Sequence, residues 1–252
     1  MVTLRVYGSS SKGNCFELSS STTNILLDCG LSNKYVETRI KNIAGILITH
    51  LHLDHTKGIK KIKDYYNYKY YSNEETLDTI GVLHCQKQVI EEGRIFEIND
   101  FAIMPFEVYH DVKNFGYLIK EKNSGLKILY IIDTSSISNL HFKDIDVFII
   151  EANHSWQWLA EKEQMDFKDY RTYGEEGHLD IESCIEFLQL NANHNTKKII
   201  LTHISSSFEN YEQFADIVKQ SLDLDVEVYA VNPKLQEPLE IVLQEDLDFD
   251  FN

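Results

Sequence analysis

Short apolar runs rich in β-branched residues recur along the chain, each bounded by glycine, asparagine, aspartate or serine. They predict strands at residues 4–7, 15–18, 25–28 and 46–49, and again at 101–109, 116–120, 128–132, 147–151, 198–201 and 226–230. Between these runs the apolar positions recur with a helical period. Val36, Ile40 and Ile43 make one stripe; Ile181, Cys184, Ile185 and Leu188 make a second at i, i+3, i+4, i+7. Tyr211, Phe214, Ala215, Val218 and Leu222 make a third, and Asp180 stands where the N-cap of the second helix is expected. Blocks of strands separated by amphipathic helices predict an α/β chain in which sheets are covered by helices, without selecting a fold family. There is no internal repeat and no Pro/Ser-rich linker. The expectation is one domain over residues 1–243, followed by an acidic tail, 244–252, in which Glu245, Asp246, Asp248 and Asp250 have no basic neighbour.

Composition narrows the class. With 252 residues, 43% of them hydrophobic, 25% charged and 12% aromatic, the chain can bury a sizeable core and is neither disordered nor fibrous. No run approaches the ~20 apolar residues that cross a bilayer. The N-terminus lacks the basic region and apolar stretch of a secretion signal, so a cytoplasmic protein is expected. Cys15, Cys29, Cys85 and Cys184 are scattered without a CxxC pair and read as reduced thiols. The net charge of −16, from 24 basic and 40 acidic residues, argues against broad attraction to nucleic acid. It leaves room for an enzyme that grips one or two phosphates locally.

The chemistry concentrates in His50-Leu51-His52-Leu53-Asp54-His55, directly after the apolar run that ends at Thr49. In extended backbone residues two apart point to one side, so His50, His52 and Asp54 would project together, with a turn bringing His55 round. Four ligand-type side chains in six residues are costly for any purely structural purpose, and a divalent cation is their natural partner. The alternative is a polar surface loop. Further donors stand just past later strands: His110 after FEVY, Asp133 after ILYII and His203 after IILT.

The run HLHLDH resembles the HxHxDH signature of the metallo-β-lactamase superfamily. The similarity extends, in that family's order, to Asp28 in LLDCG, His110, Asp133 and His203, and so spans residues 4–203. GSSSKGNCFEL, HLDHTKGI, YHDVKNFGY and GHLD are similar to the WalJ/YycJ-type group of bacterial and phage hydrolases. The resemblance implies a four-layer αββα sandwich of two mixed β-sheets flanked by helices. It implies two divalent metal ions. His50, His52 and His110 would hold one; Asp54, His55 and His203 the other; Asp133 would bridge them. Asp28 would support a ligand histidine from behind the site. Nitrogen and oxygen donors suit zinc, with manganese or iron as alternatives. Such a pair shares a water and lowers its pKa to give a hydroxide nucleophile near neutral pH. Diiron redox relatives generally carry glutamate where this chain has His52, which favours hydrolysis.

Other residues are weighed beside simpler roles. His178 in GHLD is surplus to the metals and, with Asp54, is a candidate catalytic residue; by the resemblance it would contact phosphate or protonate the leaving oxygen, against a helix-entry role beside Asp180. His154 in EANH is a candidate substrate contact at the cleft border. Lys57 and Lys60, with Lys61 and Lys63, are a candidate phosphate-attracting rim on a helix starting near Thr56, against an ordinary solvated face. Asp111 could orient His110. The aromatic stretch 155–177, with Trp156, Trp158, Phe167, Tyr170, Arg171 and Tyr173, could form an arm over the site or a surface helix. His84, His141 and His194 carry no pattern.

The leading expectation is a metal-dependent phosphodiesterase, a DNA or RNA nuclease with nucleic acid or a nucleotide phosphodiester as substrate. The alternatives are a cyclic-nucleotide phosphodiesterase of phage anti-defence type, a thioester or lactone acyl hydrolase, and a non-catalytic metal-binding module. A homodimer is a general expectation for soluble enzymes and a membrane partner is not expected.

Overall fold

All ten predicted strands form in the computed structural model, which describes residues 1–31, 42–160 and 177–245. In chain order they begin β1 (Val2–Gly8), β2 (Cys15–Ser19), β3 (Asn24–Leu27) and β4 (Ile43–Leu47). Two single-turn helices follow, α1 (Leu53–Thr56) and α2 (Ile59–Ile62), then β5 (Tyr70–Ser72), α3 (Glu74–Ile80), β6 (Lys87–Val89) and β7 (Phe96–Ile98). The second half holds β8 (Phe101–Val108), β9 (Asn114–Glu121), β10 (Lys127–Ile131), β11 (Val147–Glu151), α4 (Trp156–Ala160) and α5 (Ile181–Asn191). It closes with β12 (Lys198–Thr202), α6 (Gln213–Ser221), β13 (Glu227–Ala230) and β14 (Leu239–Gln244).

Four strands were not expected. β5, β6 and β7 have three residues each, too few to display an alternation. β14 does alternate, burying Ile241 and Leu243, but its partner is β1 at the other end of the chain. It also takes up Gln244, the first residue assigned to the acidic tail; residues 246–252 lie outside the described ones. The stripe through Val36 and Ile40 likewise falls largely outside them, and Ile43 belongs to β4 rather than to a helix.

The strands form two seven-stranded sheets, ordered β14-β1-β2-β3-β4-β5-β6 and β13-β12-β11-β10-β9-β8-β7. Each is mixed. β3, β4, β5 and β6 run parallel, as do β10, β11, β12 and β13, while the remaining neighbours are antiparallel.

Three apolar clusters give the layers. Leu4, Phe16, Leu18 and Leu27 of the first sheet meet Phe101, Tyr117, Ile128 and Ile149 of the second between the sheets. Leu129, Ile131 and Phe148 face the other way, onto Cys184 and Leu188 of α5 and Phe214 and Val218 of α6. Leu26, Ile46 and Ile48 pack outward on Ile59 and Ile62 of α2 and Leu77 and Ile80 of α3. Both faces of the central strands are covered, which is why they read as continuous apolar runs. The result is a four-layer αββα sandwich. Asp180 caps α5 as expected, its side chain accepting from Ser183 N.

The four cysteines are free thiols, Cys85 exposed and the other three buried. Among the described residues no helix is long and apolar enough to cross a membrane.

Candidate metal centre

The donor-bearing residues stand just beyond the carboxyl ends of strands in both sheets. Asp28 follows β3, Asp133 lies two past β10, and His203 follows β12. All three have positive φ, at 58°, 52° and 52°. Such backbone costs about 1–3 kcal/mol per non-glycine residue and concentrates where function requires it. Here it turns each strand end sharply, so that its polar side chain points back into the space between the sheets.

The loop after β4 is less extended than the sequence implied. Alternation accounts for His50 and His52 only. His52 O accepts from His55 N at 3.0 Å, Thr56 Oγ1 donates to His52 O at 2.9 Å, and α1 carries Asp54 and His55 together. A glycine keeps this turn in place: a Cβ on Gly30 would lie 1.5 Å from Asp54 O. Gly30 N donates to Asn14 O at 2.8 Å and Asn14 N to Asp54 O at 2.7 Å, so three chain segments interlock.

The structure brings all seven expected ligands together. One group contains His50, His52 and His110; a second contains Asp54, His55, Asp133 and His203. His110 Nε2 lies 3.3 Å from His52 Nδ1, and Asp133 Oδ2 lies 3.6 Å from His50 Nε2. His55 Nε2 lies 3.6 Å from Asp54 Oδ2, and His203 Nε2 lies 3.8 Å from the same oxygen. Four ligands at 2.0–2.1 Å from a tetrahedral ion stand roughly 3.3–3.4 Å apart, so these donors are spaced to share cations. Asp133 Oδ2 also sits 2.7 Å from His55 Nε2 and thus faces both groups. His50 Nε2 and His203 Nε2 are buried without a hydrogen-bond partner, which is costly unless a cation takes their lone pairs. The donor set fits two divalent ions.

Hydrogen bonds behind the donors orient them. Asp28 is fully buried and accepts from Thr49 N at 2.9 Å, Thr49 Oγ1 at 3.0 Å and Tyr130 OH at 2.8 Å. Its Oδ2 lies 2.9 Å from His55 Nδ1, and Thr49 Oγ1 lies 3.0 Å from His50 Nδ1. This network assigns the proton to Nδ1 on both rings and turns both Nε2 lone pairs inward. Replacing Asp28 with asparagine is expected to weaken metal binding about 10–100-fold, because the amide cannot charge-stabilise the His55 N–H. Competition against a chromogenic chelator would measure it; unchanged affinity would remove Asp28 from the supporting role. Asp111 lies 3.2 Å from His110 Nε2 and, less expectedly, 3.3 Å from His52 Nε2.

Glu151 is the main residue that sequence reasoning undervalued, placing it only at the cleft border. It is fully buried at the end of β11. Its Oε1 lies 2.9 Å from His203 Nδ1 and 2.8 Å from His178 Nδ1, and its Oε2 accepts from Thr134 N at 2.8 Å. The signal was present: a carboxylate closing an apolar strand, as Asp133 closes another. Asn14 was also missed. Its buried amide lies 3.0 Å from His55 Nε2 and 3.4 Å from Asp54 Oδ2.

Charge in the site favours cations. Burial raises the cost of ionising Asp133 and Glu151, but neighbouring imidazoles outweigh it and lower both. Burial opposes protonation of His55 and His203 too, yet Asp28 and Asp133 hold the first well up, and Asp133, Asp54 and Glu151 the second. His50 is driven well down by burial and then by His55, so it stays neutral and free to ligate.

The remaining candidates divide. His178 enters the site: besides Glu151 it lies 3.4 Å from Asp133 Oδ1, and its ring is 4.8 Å from that of His203. Burial opposes its protonation, but Glu151 and Asp133 prevail and push its pKa up to about 9. His154 is fully buried with its ring edge-on to Trp156, so it does not offer the surface contact expected of it. Lys57 and Lys60 are exposed beyond α1, with no recorded bond to the donors. Lys63 is not part of a phosphate rim, because its ammonium is spent on Ile80 O at 2.8 Å and Gly81 O at 2.6 Å, capping α3. Trp158 anchors α4 in the core against Phe208 and Phe214; residues 161–176 of the expected arm lie outside the described ones. His84, His141 and His194 are exposed and belong to none of the donor groups.

A family model described as a beta-lactamase superfamily domain matches residues 23–204, the span that contains every donor named above. The chain belongs to the beta-lactamase superfamily. Within it, the chain is 28% identical to the exodeoxyribonuclease WalJ of Streptococcus pneumoniae, over 93% of this chain and 96% of that one. It is 27% identical to the exodeoxyribonuclease YycJ of Bacillus anthracis, over 79% and 81% of the two chains. Among solved structures, the metallo-beta-lactamase fold protein YhfI from Bacillus subtilis superposes with a TM-score of 0.72 at 14% identity, covering 95% of this chain and 98% of that one. The superfamily fold and its reliance on divalent metal ions are therefore shared by this protein.

Proposed function

We propose that this protein is a dinuclear metal hydrolase that cleaves phosphodiesters in nucleic acid, a nuclease with zinc as its preferred metal and manganese or iron as substitutes. The observation that carries this reading is the paired donor set with Asp133 within reach of both groups and the partly exposed His178 beside it. Relatives named exodeoxyribonucleases along nearly the whole chain support the phosphodiester as substrate.

His50, His52 and His110 would hold one cation, and Asp54, His55 and His203 the other, with Asp133 between them. When bound, the pair supplies a water acidic enough to act as nucleophile near neutral pH and neutralises charge developing on the phosphoryl oxygens. The chain's own residues do the rest. Asp28, Thr49 and Glu151 hold Nδ1 of His55, His50 and His203, and Asp111 holds Nε2 of His52, so that the opposite lone pairs converge. His50, His55, Asp133 and His203 form a closed floor, at most 2% exposed. His52, Asp54 and His178 are 32%, 21% and 19% exposed, so substrate approaches from their side. Asp54 faces that opening, where it can accept a proton from the attacking water. His178, whose imidazolium form Glu151 and Asp133 favour, can donate its proton to the leaving oxygen.

The test is an assay of purified protein, with zinc and with manganese, on labelled oligonucleotides, a panel of cyclic nucleotides and a thioester. Oligonucleotide cleavage that requires the added metal and stops with chelator is expected. Turnover confined to cyclic nucleotides would transfer the assignment to a cyclic-nucleotide phosphodiesterase. Thioester turnover without phosphodiester turnover would overturn it, and failure to bind any divalent ion would leave only a binding module.

A further inference from the structure

Resting on the phosphodiester reading, we propose that residues 9–14, Ser-Ser-Ser-Lys-Gly-Asn, form a phosphate-holding loop in which the Lys12 ammonium grips a phosphate of the substrate next to the one being cleaved.

The loop is fastened to the metal centre at both ends. At its start, Ser9 Oγ accepts from His203 N at 2.8 Å. At its end, Asn14 bonds to the Asp54 backbone at 2.7 Å and approaches His55 Nε2 within 3.0 Å. Its interior is a tight turn: Gly13 N donates to Ser10 O at 2.8 Å, and Ser10 Oγ accepts from Lys12 N at 3.3 Å. Glycines allow it to lie flat on its neighbours. A Cβ on Gly8 would stand 2.7 Å from Gly13 O, and one on Gly13 would stand 2.8 Å from Gly30 O. Ser9, Ser10, Gly13 and Asn14 are buried, and only the apex residues Ser11 and Lys12 are exposed. A short loop pinned beside the site thus carries one exposed cationic residue at its apex.

Among the described residues that cation has no ion-pair partner. Lys63 is bonded to helix carbonyls, and Lys87, Lys122, Lys197 and Lys198 are paired with carboxylates, whereas Lys12 has no ion pair among the described residues. In a chain of net charge −16, whose site also gathers Asp54, Asp111, Asp133 and Glu151, an anionic strand needs local positive charge to stay. The two metals answer the phosphate under attack. A lysine on a pinned loop answers the next one, as a point charge with three donors that needs no fixed orientation.

The experiment compares wild type with Lys12→Ala and Lys12→Arg, all metal-loaded. Substrates are bis(p-nitrophenyl) phosphate, which has a single phosphate, and oligonucleotides carrying a 5′-phosphate, a 5′-hydroxyl or a 3′-phosphate. Lys12→Ala is expected to raise KM for oligonucleotides about tenfold more than for the single-phosphate substrate, the worth of one charge-assisted contact. Arginine restores most of the loss, and the salt dependence of oligonucleotide binding, followed by fluorescence anisotropy, falls by about 0.7 in log-log slope. Dependence confined to 5′-phosphorylated ends would identify a terminal monoester as the phosphate held; equal dependence on all three would identify an internal diester. Equal losses on both substrate classes, or no loss on oligonucleotides, would overturn the proposal. Should wild type hydrolyse no phosphodiester, the broader reading fails, while the anisotropy measurement still judges Lys12: unchanged slope and affinity in Lys12→Ala would reject the loop's role.

Discussion

Replacing Asp133 with alanine or asparagine is expected to strip the site of bound metal and lower turnover by at least about 10³-fold. The carboxylate is only 2% exposed and faces both donor groups. Its Oδ2 lies 3.6 Å from His50 Nε2 and 2.7 Å from His55 Nε2, while its Oδ1 lies 2.8 Å from His203 Nδ1 and 3.4 Å from His178 Nδ1. It is thus within reach of His50 in the first donor group and of His55 and His203 in the second. Removing its charge takes a carboxylate from the reach of both donor groups and leaves the cations fewer anionic partners in a buried site. Alanine also meets the positive φ of 52° at this position, which disfavours it on backbone grounds alone. Asparagine tolerates that backbone and keeps the volume, so it isolates the loss of charge from misfolding. Metal content by mass spectrometry, thermal unfolding and turnover should be read together. An asparagine variant that folds, keeps two metals and turns over at the wild-type rate would remove Asp133 from the bridging role.

The second large effect is expected at His178. Substitution by alanine should lower kcat by about 10²–10³-fold on natural phosphodiesters while leaving the metals in place. His178 touches the site through Glu151 and Asp133, and with them and His203 makes a third set of closely spaced donor-type residues, but it belongs to neither of the two groups assigned to the metals. A general acid matters only when the leaving oxygen must be protonated. The loss should therefore shrink on bis(p-nitrophenyl) phosphate, whose leaving group is already stable as an anion, and a purely structural residue would show no such difference. The pH profile supplies a separate check. Burial disfavours the imidazolium, but Glu151 and Asp133 raise its pKa to about 9 in the metal-free chain. The raised value keeps the acid protonated at neutral pH and loses it as pH climbs toward that value; cations bound at Asp133 draw the fall to lower pH. Wild type should show this basic limb and His178→Ala should lack it. Equal kcat values for the two proteins would return His178 to a supporting position at the entry of α5.

Much of this was legible in the order of residues. HLHLDH declares a metal loop because crowded imidazoles and a carboxylate have few other uses, and it does so without knowledge of the fold. Asp133 and His203 were readable for a related reason: each breaks an apolar run just where a strand should end. Glu151 breaks one in the same manner, but a lone carboxylate carries no motif, and its meaning depends on His178 and His203, 27 and 52 residues further along the chain. Asn14 gave less still, since an amide in a serine-rich turn ordinarily reads as turn chemistry.

The sequence by itself picked out the residues that gather as candidate donors, the strands that carry them and, through runs apolar on both faces, that helices must cover the sheets. Tertiary structure alone decided the rest. It placed β14 beside β1, put Asp54 on a helical turn with His55 rather than in extended backbone, and took Lys63 from the phosphate rim to cap α3. It buried His154, and it laid residues 9–14 against the metal loop. The reason is range: periodicity and motif report what a residue's near neighbours impose, whereas a hydrogen bond or a close approach between distant segments exists only once the sheets have stacked.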